Sequence, residues 1–266
     1  MSRDTLVSEE LRSDRQISSL RLGQKKVGGS IVCEACNDAQ LETLLEALLG
    51  GTWTANVLKA GTTRRSFSMI RTFGDMTAGD KKYLLTDGVE IASAEIKVTS
   101  NAVATITFET VGQSQTYSLT APASSTFGDP STTAVMDGFS GAITEGGSPV
   151  GVVTEITLKI DNGIDPRYVI GSVETILPDQ DKINITGSIN VWFDSEDMLD
   201  KFIGETESSL SFTLTAGSDT LRISVPKLKY TGGQPDVSND KSIILTMPFQ
   251  AVYDSGSASN IVITRS

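Results

Sequence analysis

Cys33-Glu34-Ala35-Cys36 is the spacing in this 266-residue chain that comes nearest to a reactive centre. A dithiol at a helix start is where redox cysteines sit, because the helix dipole lowers the thiol pKa. The carboxylates Asp194, Glu196, Asp197 and Asp200 crowd around a short apolar stripe, and their simplest work is to cap and solvate a helix. Asp161-Asn162-Gly163 has the residue types of a calcium loop without its spacing, so it reads as a tight turn. Gly28-Gly29-Ser30 leads into a strand, which does not cradle a phosphate. Arg64-Arg65 is a two-residue basic spot at a solvated turn. The chain contains no histidine, which removes every Ser-His-Asp and Cys-His nucleophile scheme. Two cysteines without histidine cannot close a structural zinc site. No catalytic constellation survives, and no enzyme activity, cofactor or metal is expected.

Charge narrows the classes further. Lys plus Arg is 22 against 33 Asp plus Glu, a net of −11, which opposes tight binding to a phosphate backbone. The longest apolar runs, such as residues 31–33 and 243–245, are far too short to cross a bilayer. The amino terminus opens with charges and shows no apolar signal region, so the chain reads as made and folded in a cytoplasm.

The elements that must position these residues are mostly strands. Short stretches rich in Val, Ile, Thr and Phe lie between turn residues along the whole length. In residues 155–161 the apolar set is Ile156, Leu158 and Ile160, and the polar set is Glu155, Thr157, Lys159 and Asp161. One face is therefore buried and the other wetted. Further strands are expected over 94–99, 103–109, 183–193, 210–214, 221–225 and 261–263, with Asp87-Gly88, Asn162-Gly163 and Gly217-Ser218-Asp219 among the turns. Two helices interrupt them. The first is expected over 38–49, with Leu41, Leu44, Leu45 and Leu48 as its stripe, Asn37 as its N-cap and Gly50-Gly51 as its stop. The second is expected over 196–203, with Met198, Leu199, Phe202 and Ile203 as its stripe and Ser195 as its cap. Trp53 is placed to staple the exit of the first helix, and Trp192 sits in an alternating strand as a core or interface residue.

Both helices follow similar strands, Gly29-Ser30-Ile31-Val32-Cys33 and Gly187-Ser188-Ile189-Asn190-Val191, offset by 158 positions (187 − 29). The offset continues with Leu41 over Leu199 and Leu45 over Ile203, so the chain reads as an internal duplication. It lays Cys33 on Val191, an apolar strand position, which favours packing over redox chemistry. Four segments follow: an N-terminal arm (1–27), a first half (28–120), an inter-half loop poor in large apolar residues (121–150) and a second half (151–266).

One ordered series carries a resemblance. Ser13-Asp14-Arg15-Gln16-Ile17 precedes Gly28-Gly29-Ser30-Ile31; Leu48-Leu49-Gly50-Gly51-Thr52-Trp53 leads to Leu58, Gly61 and Ser66-Phe67-Ser68. The second half has residues 158–163, Ile185-Thr186-Gly187, Phe193-Asp194, and finally Pro226, Lys227 and Tyr230. Together these resemble the tail tube proteins of long-tailed bacteriophages, of the larger two-half type. The resemblance implies a mainly β fold: a β-sandwich or partly rolled barrel flanked by helices, closing into a continuous β-barrel when copies join in a ring of six-fold type. It implies stacked rings around a lumen that conducts double-stranded DNA without specific binding, and a virion tail assembled in the host cytoplasm. The implied partners are further copies of the chain and the tail tape measure, tail terminator and tail tip proteins, with no membrane insertion.

Placed on that plan, Glu155, Thr157, Lys159 and Asp161 are expected to face the lumen, and Arg15, Trp53, Arg64, Arg65 and Trp192 to lie between subunits. Residues 5–24 of the arm and residues 121–150 are expected to make ring-to-ring contacts. The alternative from another class is a carbohydrate- or receptor-binding β-sandwich of a tail tip or adhesin. Such a protein needs exposed aromatics for stacking, and aromatics here are 6% and fall mostly at apolar strand positions.

Overall fold

A computed structural model describes the chain except residues 12, 15, 78–81, 124, 139–140 and 237–242. The first half contains Ser2–Val7 (β1), Leu20–Glu34 (β2), Ala39–Leu49 (α1), Val57–Lys59 (β3), Phe67–Thr72 (β4), Tyr83–Thr99 (β5), Thr105–Gly112 (β6) and Ser114–Ser118 (β7). Ile143–Glu145 (β8), Ser148–Pro149 (β9), Val153–Asp161 (β10), Ile164–Arg167 (β11) and Ile176–Gln180 (β12) follow. The chain then runs through Asn184–Trp192 (β13), Asp197–Ile203 (α2), Ser208–Ala216 (β14), Asp219–Tyr230 (β15), Gln234–Asp236 (β16), Ile244–Ala251 (β17) and Val262–Arg265 (β18).

One antiparallel sheet runs β1-β2-β6-β5-β10-β13-β17-β15-β14-β8-β9. Alternation sets which side of it is dry. Ile156, Leu158 and Ile160 are buried on β10, as are Ile106 and Phe108 on β6 and Ile185, Ile189 and Val191 on β13. Leu210, Phe212 and Leu214 of β14 and Ile223 of β15 join the same core, so the two ends of the strand path enclose one apolar interior. A buried Phe or Ile contributes roughly 1.5–3 kcal/mol, against at most ~1 kcal/mol for an exposed ion pair. The core therefore holds the fold. The described strands of the single chain close no barrel; single-residue bridges join Val135 to Cys36 and Asp137 to both Val103 and Thr215.

The two halves share a plan. In the first, β2 leads to α1 and pairs with β6, which pairs with β5; in the second, β13 leads to α2 and pairs with β17, which pairs with β15. The helices begin at Ala39 and Asp197, again 158 positions apart (197 − 39). β10 lies between β5 and β13 and joins the halves into one sheet.

Several local expectations are corrected. Asp38, not Asn37, caps α1: its side chain accepts from the Gln40 amide at 2.5 Å. The Ser131 hydroxyl, then the Gln40 and Leu41 amides, hold the Asp38 carboxyl below its usual range. Its folded pKa lies below its unfolded value, so the cap is at full strength above about pH 5 and is lost as pH falls through the lowered value. Asp38→Ala is expected to cost about 1 kcal/mol at pH 7. The thermal midpoint difference between the two proteins should shrink as pH falls from 6 toward 3. At α2 the cap position is Glu196, and the Ser195 hydroxyl instead accepts from the Asp197 amide at 3.0 Å. Met198 and Phe202 pack against the core, whereas Ile203 points to solvent at 70% exposure.

Asp87-Gly88 is not a turn between strands. Gly88 takes φ +62° and bends β5 while the strand continues. Residues before the bend pair with β4 and β7, and those after it with β6 and β10, apart from Val89, which still pairs with Phe67 of β4. Residues 121–150 are also more than a loop. They hold β8 and β9, and Met136 is fully buried, its amide donating to Ala35 O at 2.7 Å while its carbonyl accepts from Ala104 N. The arm is a β-hairpin, with Val7 opposite Leu20 and Thr5 opposite Leu22.

Candidate functional site

The polar side of the sheet is a broad surface of mostly polar side chains. Cα partners on antiparallel strands share a face, so the register reads directly across it. One row runs Glu34, Thr105, Lys97, Thr157, Ser188 and Pro248. The next runs Val32, Thr107, Glu95, Lys159, Thr186 and Gln250, and a third runs Ser30, Glu109, Ser93, Asp161 and Asn184. Glu155 sits between Thr99 and Asn190. All four residues expected on a wetted face thus lie on one continuous six-strand surface.

Five carboxylates (Glu34, Glu95, Glu109, Glu155, Asp161) stand among these rows against the ammonium groups of Lys97 and Lys159. Lys97 Nζ lies 3.2 Å from Glu155 Oε2, and Lys159 Nζ lies 3.7 Å from Asp161 Oδ2. The remaining carboxylates leave the face net negative. Amide and hydroxyl pairs fill the gaps: Thr246 Oγ1 donates to Asn190 Oδ1 and Gln250 Nε2 to Asn184 Oδ1, both at 2.8 Å. Such a surface is wetted and repels phosphate.

Cys33 packs against the core, and neither cysteine has the lowered pKa of a redox dithiol. Cys33 lies on β2 with its thiol directed at Ile106 O, and Cys36 lies two residues before the cap of α1. Both are free thiols, and burial raises the pKa of each, opposite to what a reactive thiolate requires. Among the described residues no three His, Cys, Asp or Glu side chains gather as metal ligands.

The expected inter-subunit residues are placed as follows. Arg15 lies outside the described residues. Trp53 is half-buried; its amide donates to Glu46 Oε1 at 2.8 Å, and the Arg265 guanidinium lies 4.6 Å from the centre of its ring. Arg64 Nε meets the buried Glu90 at 2.8 Å, and its Nη2 donates to Pro178 O at 2.6 Å. Arg65 donates to Glu46 O and to Thr52 Oγ1. The two arginines are therefore internal clamps that hold the 61–66 loop to α1, β5 and β12, not a solvated turn. Trp192 stands at the rim of the polar face, 40% exposed and opposite Ile244.

Two features carried no local sequence signal. Glu145 is buried and meets Lys201 Nζ at 2.5 Å, Ser208 Oγ at 2.6 Å and Tyr230 OH at 3.1 Å. Burial, then the Glu145 charge, pushes the Tyr230 phenol well above its usual pKa and keeps it a donor. The second feature is an open edge. Among the described residues, Gly28–Glu34 of β2 pair with β6 on one side and with no strand on the other.

No helix of the described structure is long and apolar enough to cross a membrane. No curated protein matches the chain. A family model described as phage tail tube protein matches residues 1–251, which includes the arm, every strand of the sheet except β18, and the whole polar face. The match spans nearly the whole sequence, and with the β-rich, antiparallel fold it places this chain in the phage tail tube protein family.

Proposed function

We propose that the protein is the structural subunit of a phage tail tube, self-assembling into stacked rings whose lumen is lined by the polar face of β2, β6, β5, β10, β13 and β17. The observation that carries this reading is the continuity of that face: six strands, wetted on one side and packed on one core on the other. A sheet with an open edge at Gly28–Glu34 invites pairing with another chain, and closing such sheets around a ring removes the edges. Net negative charge lets DNA slide past the wall without adhering, within a screening length of ~8 Å. The tape measure, terminator and tip proteins of the tail are the further partners on this reading, and the virion tail is its location. The polar face carries Trp192 as its sole aromatic, at the rim, which disfavours a carbohydrate-binding role for it.

Electron microscopy of the purified protein tests the reading. Rings or tubes with a central hole are expected. Six strands spaced about 4.8 Å supply about 29 Å of wall per copy before tilt, so the measured lumen circumference counts the copies in a ring. Solitary chains at millimolar concentration would overturn it.

A further inference from the structure

Charge is not spread evenly over the polar face. Its five carboxylates and two ammonium groups all stand on β2, β6, β5 and β10. On β13 the same face carries Asn184, Thr186, Ser188 and Asn190, and on β17 it carries Thr246, Pro248 and Gln250. None of these is charged. Lys229 of β15 stands opposite Gln250, and Asp236 of β16 opposite Ile244, so one charge of each sign flanks the two ends of this sector.

The uncharged sector is built to donate hydrogen bonds. Asn190 Oδ1 accepts from Thr246 Oγ1, and Asn184 Oδ1 accepts from Gln250 Nε2. The oxygen of each asparagine is thus occupied, and its Nδ2 amino group is left as a donor. The hydroxyls of Thr186 and Ser188 lie between them on the same face. Amide and hydroxyl donors of this kind contact phosphate oxygens in protein–DNA interfaces and read no sequence. β17 is two strand spacings, about 9.6 Å, from β10, beyond the ~8 Å over which the β10 carboxylates act.

We propose that double-stranded DNA passing through the lumen runs its phosphate backbone over the β13–β17 sector, while the β2–β10 sector holds it off. The inference rests on the tube reading and assigns the contact surface within the lumen. Acidic and uncharged strips alternate around the wall, each running along its own strands. A neutral donor meets a phosphate without releasing counterions, so it adds nothing to the salt-dependent term that makes lysine-lined surfaces grip. The backbone is guided without being held.

Two sets of lysines with equal added charge test the track. Thr186→Lys, Ser188→Lys and Thr246→Lys put three ammonium groups on the uncharged sector. Thr105→Lys, Thr107→Lys and Thr157→Lys put three on the acidic sector, where five carboxylates already face two ammonium groups. Tubes of each variant are sedimented with linear double-stranded DNA between 50 and 200 mM salt. The first set is expected to retain DNA at least about tenfold better than the second, and to steepen the slope of log binding against log salt by about 2.7, at about 0.9 per phosphate contact. Equal retention by the two sets, including none from either, or greater retention by the second, would overturn the track and leave the tube reading standing. Absence of rings and tubes from the unmodified protein would overturn both. Where a triple variant does not assemble by electron microscopy, Ser188→Lys and Thr107→Lys are compared singly in the same way. Retention at least about twofold better with Ser188→Lys is then expected, at one added phosphate contact, and equality would overturn the track.

Discussion

On the proposed tube reading, tubes built from a chain carrying Glu95→Lys, Glu109→Lys and Glu155→Lys are expected to retain double-stranded DNA that wild-type tubes are expected to release. The three changes turn five carboxylates facing two ammonium groups into two facing five. Each side chain stands on the wetted side of its strand, so the fold should tolerate the changes at roughly 0.5 kcal/mol apiece. The gain for DNA is much larger. Each phosphate neutralised contributes a slope of about −0.9 to the dependence of log binding on log salt, so several contacts shift affinity by orders of magnitude between 50 and 200 mM. Co-sedimentation of DNA with tubes across that salt range is the measurement. Equal retention by variant and wild type would mean that this face does not line the channel. The Lys97–Glu155 pair is lost in the variant, but at 3.2 Å and partly exposed it contributes at most about 1 kcal/mol.

Glu145→Ala is expected to destabilise the chain by about 3–5 kcal/mol, read as a fall in the denaturant midpoint. The carboxylate is 6% exposed and receives the Lys201 ammonium and the Ser208 and Tyr230 hydroxyls. Removing it strands three donors in a poorly solvated place, and breaking a buried pair from one side is far costlier than replacing both partners. Glu145→Gln should cost less, since an amide oxygen still accepts from the hydroxyls. Combining Glu145→Gln with Lys201→Met should recover part of the loss, whereas additive losses would show that the two groups act independently. The cluster pins the β8–β9 turn to α2, β14 and β15.

Much of the architecture was legible because alternation and helical spacing are local signals. The face carrying Ile156, Leu158 and Ile160 is buried as their period requires, and both helices lie within a residue of their expected starts. The 158-residue offset reappears as the repeated order β2-β6-β5 and β13-β17-β15. Turn chemistry was less decisive. Asp87-Gly88 has turn residues, yet pairing on both sides of Gly88 with four other strands holds the chain on one course. The hairpin within the arm was illegible because its residues alternate weakly and bury almost nothing.

By itself, the sequence determined a mainly β chain with two helices, a wetted face from Glu155 to Asp161, and no histidine-dependent chemistry. Those properties follow from side-chain type and from a periodicity that each strand carries alone. Only the tertiary structure decided that Glu155, Lys97 and Thr105 share a face with Glu34, that Arg64 serves Glu90 and Pro178, and that residues 145, 201, 208 and 230 meet in one buried cluster. Partners many tens of residues apart leave no local trace, because which strands become neighbours is settled by burying one common core and not by the residues of any single segment.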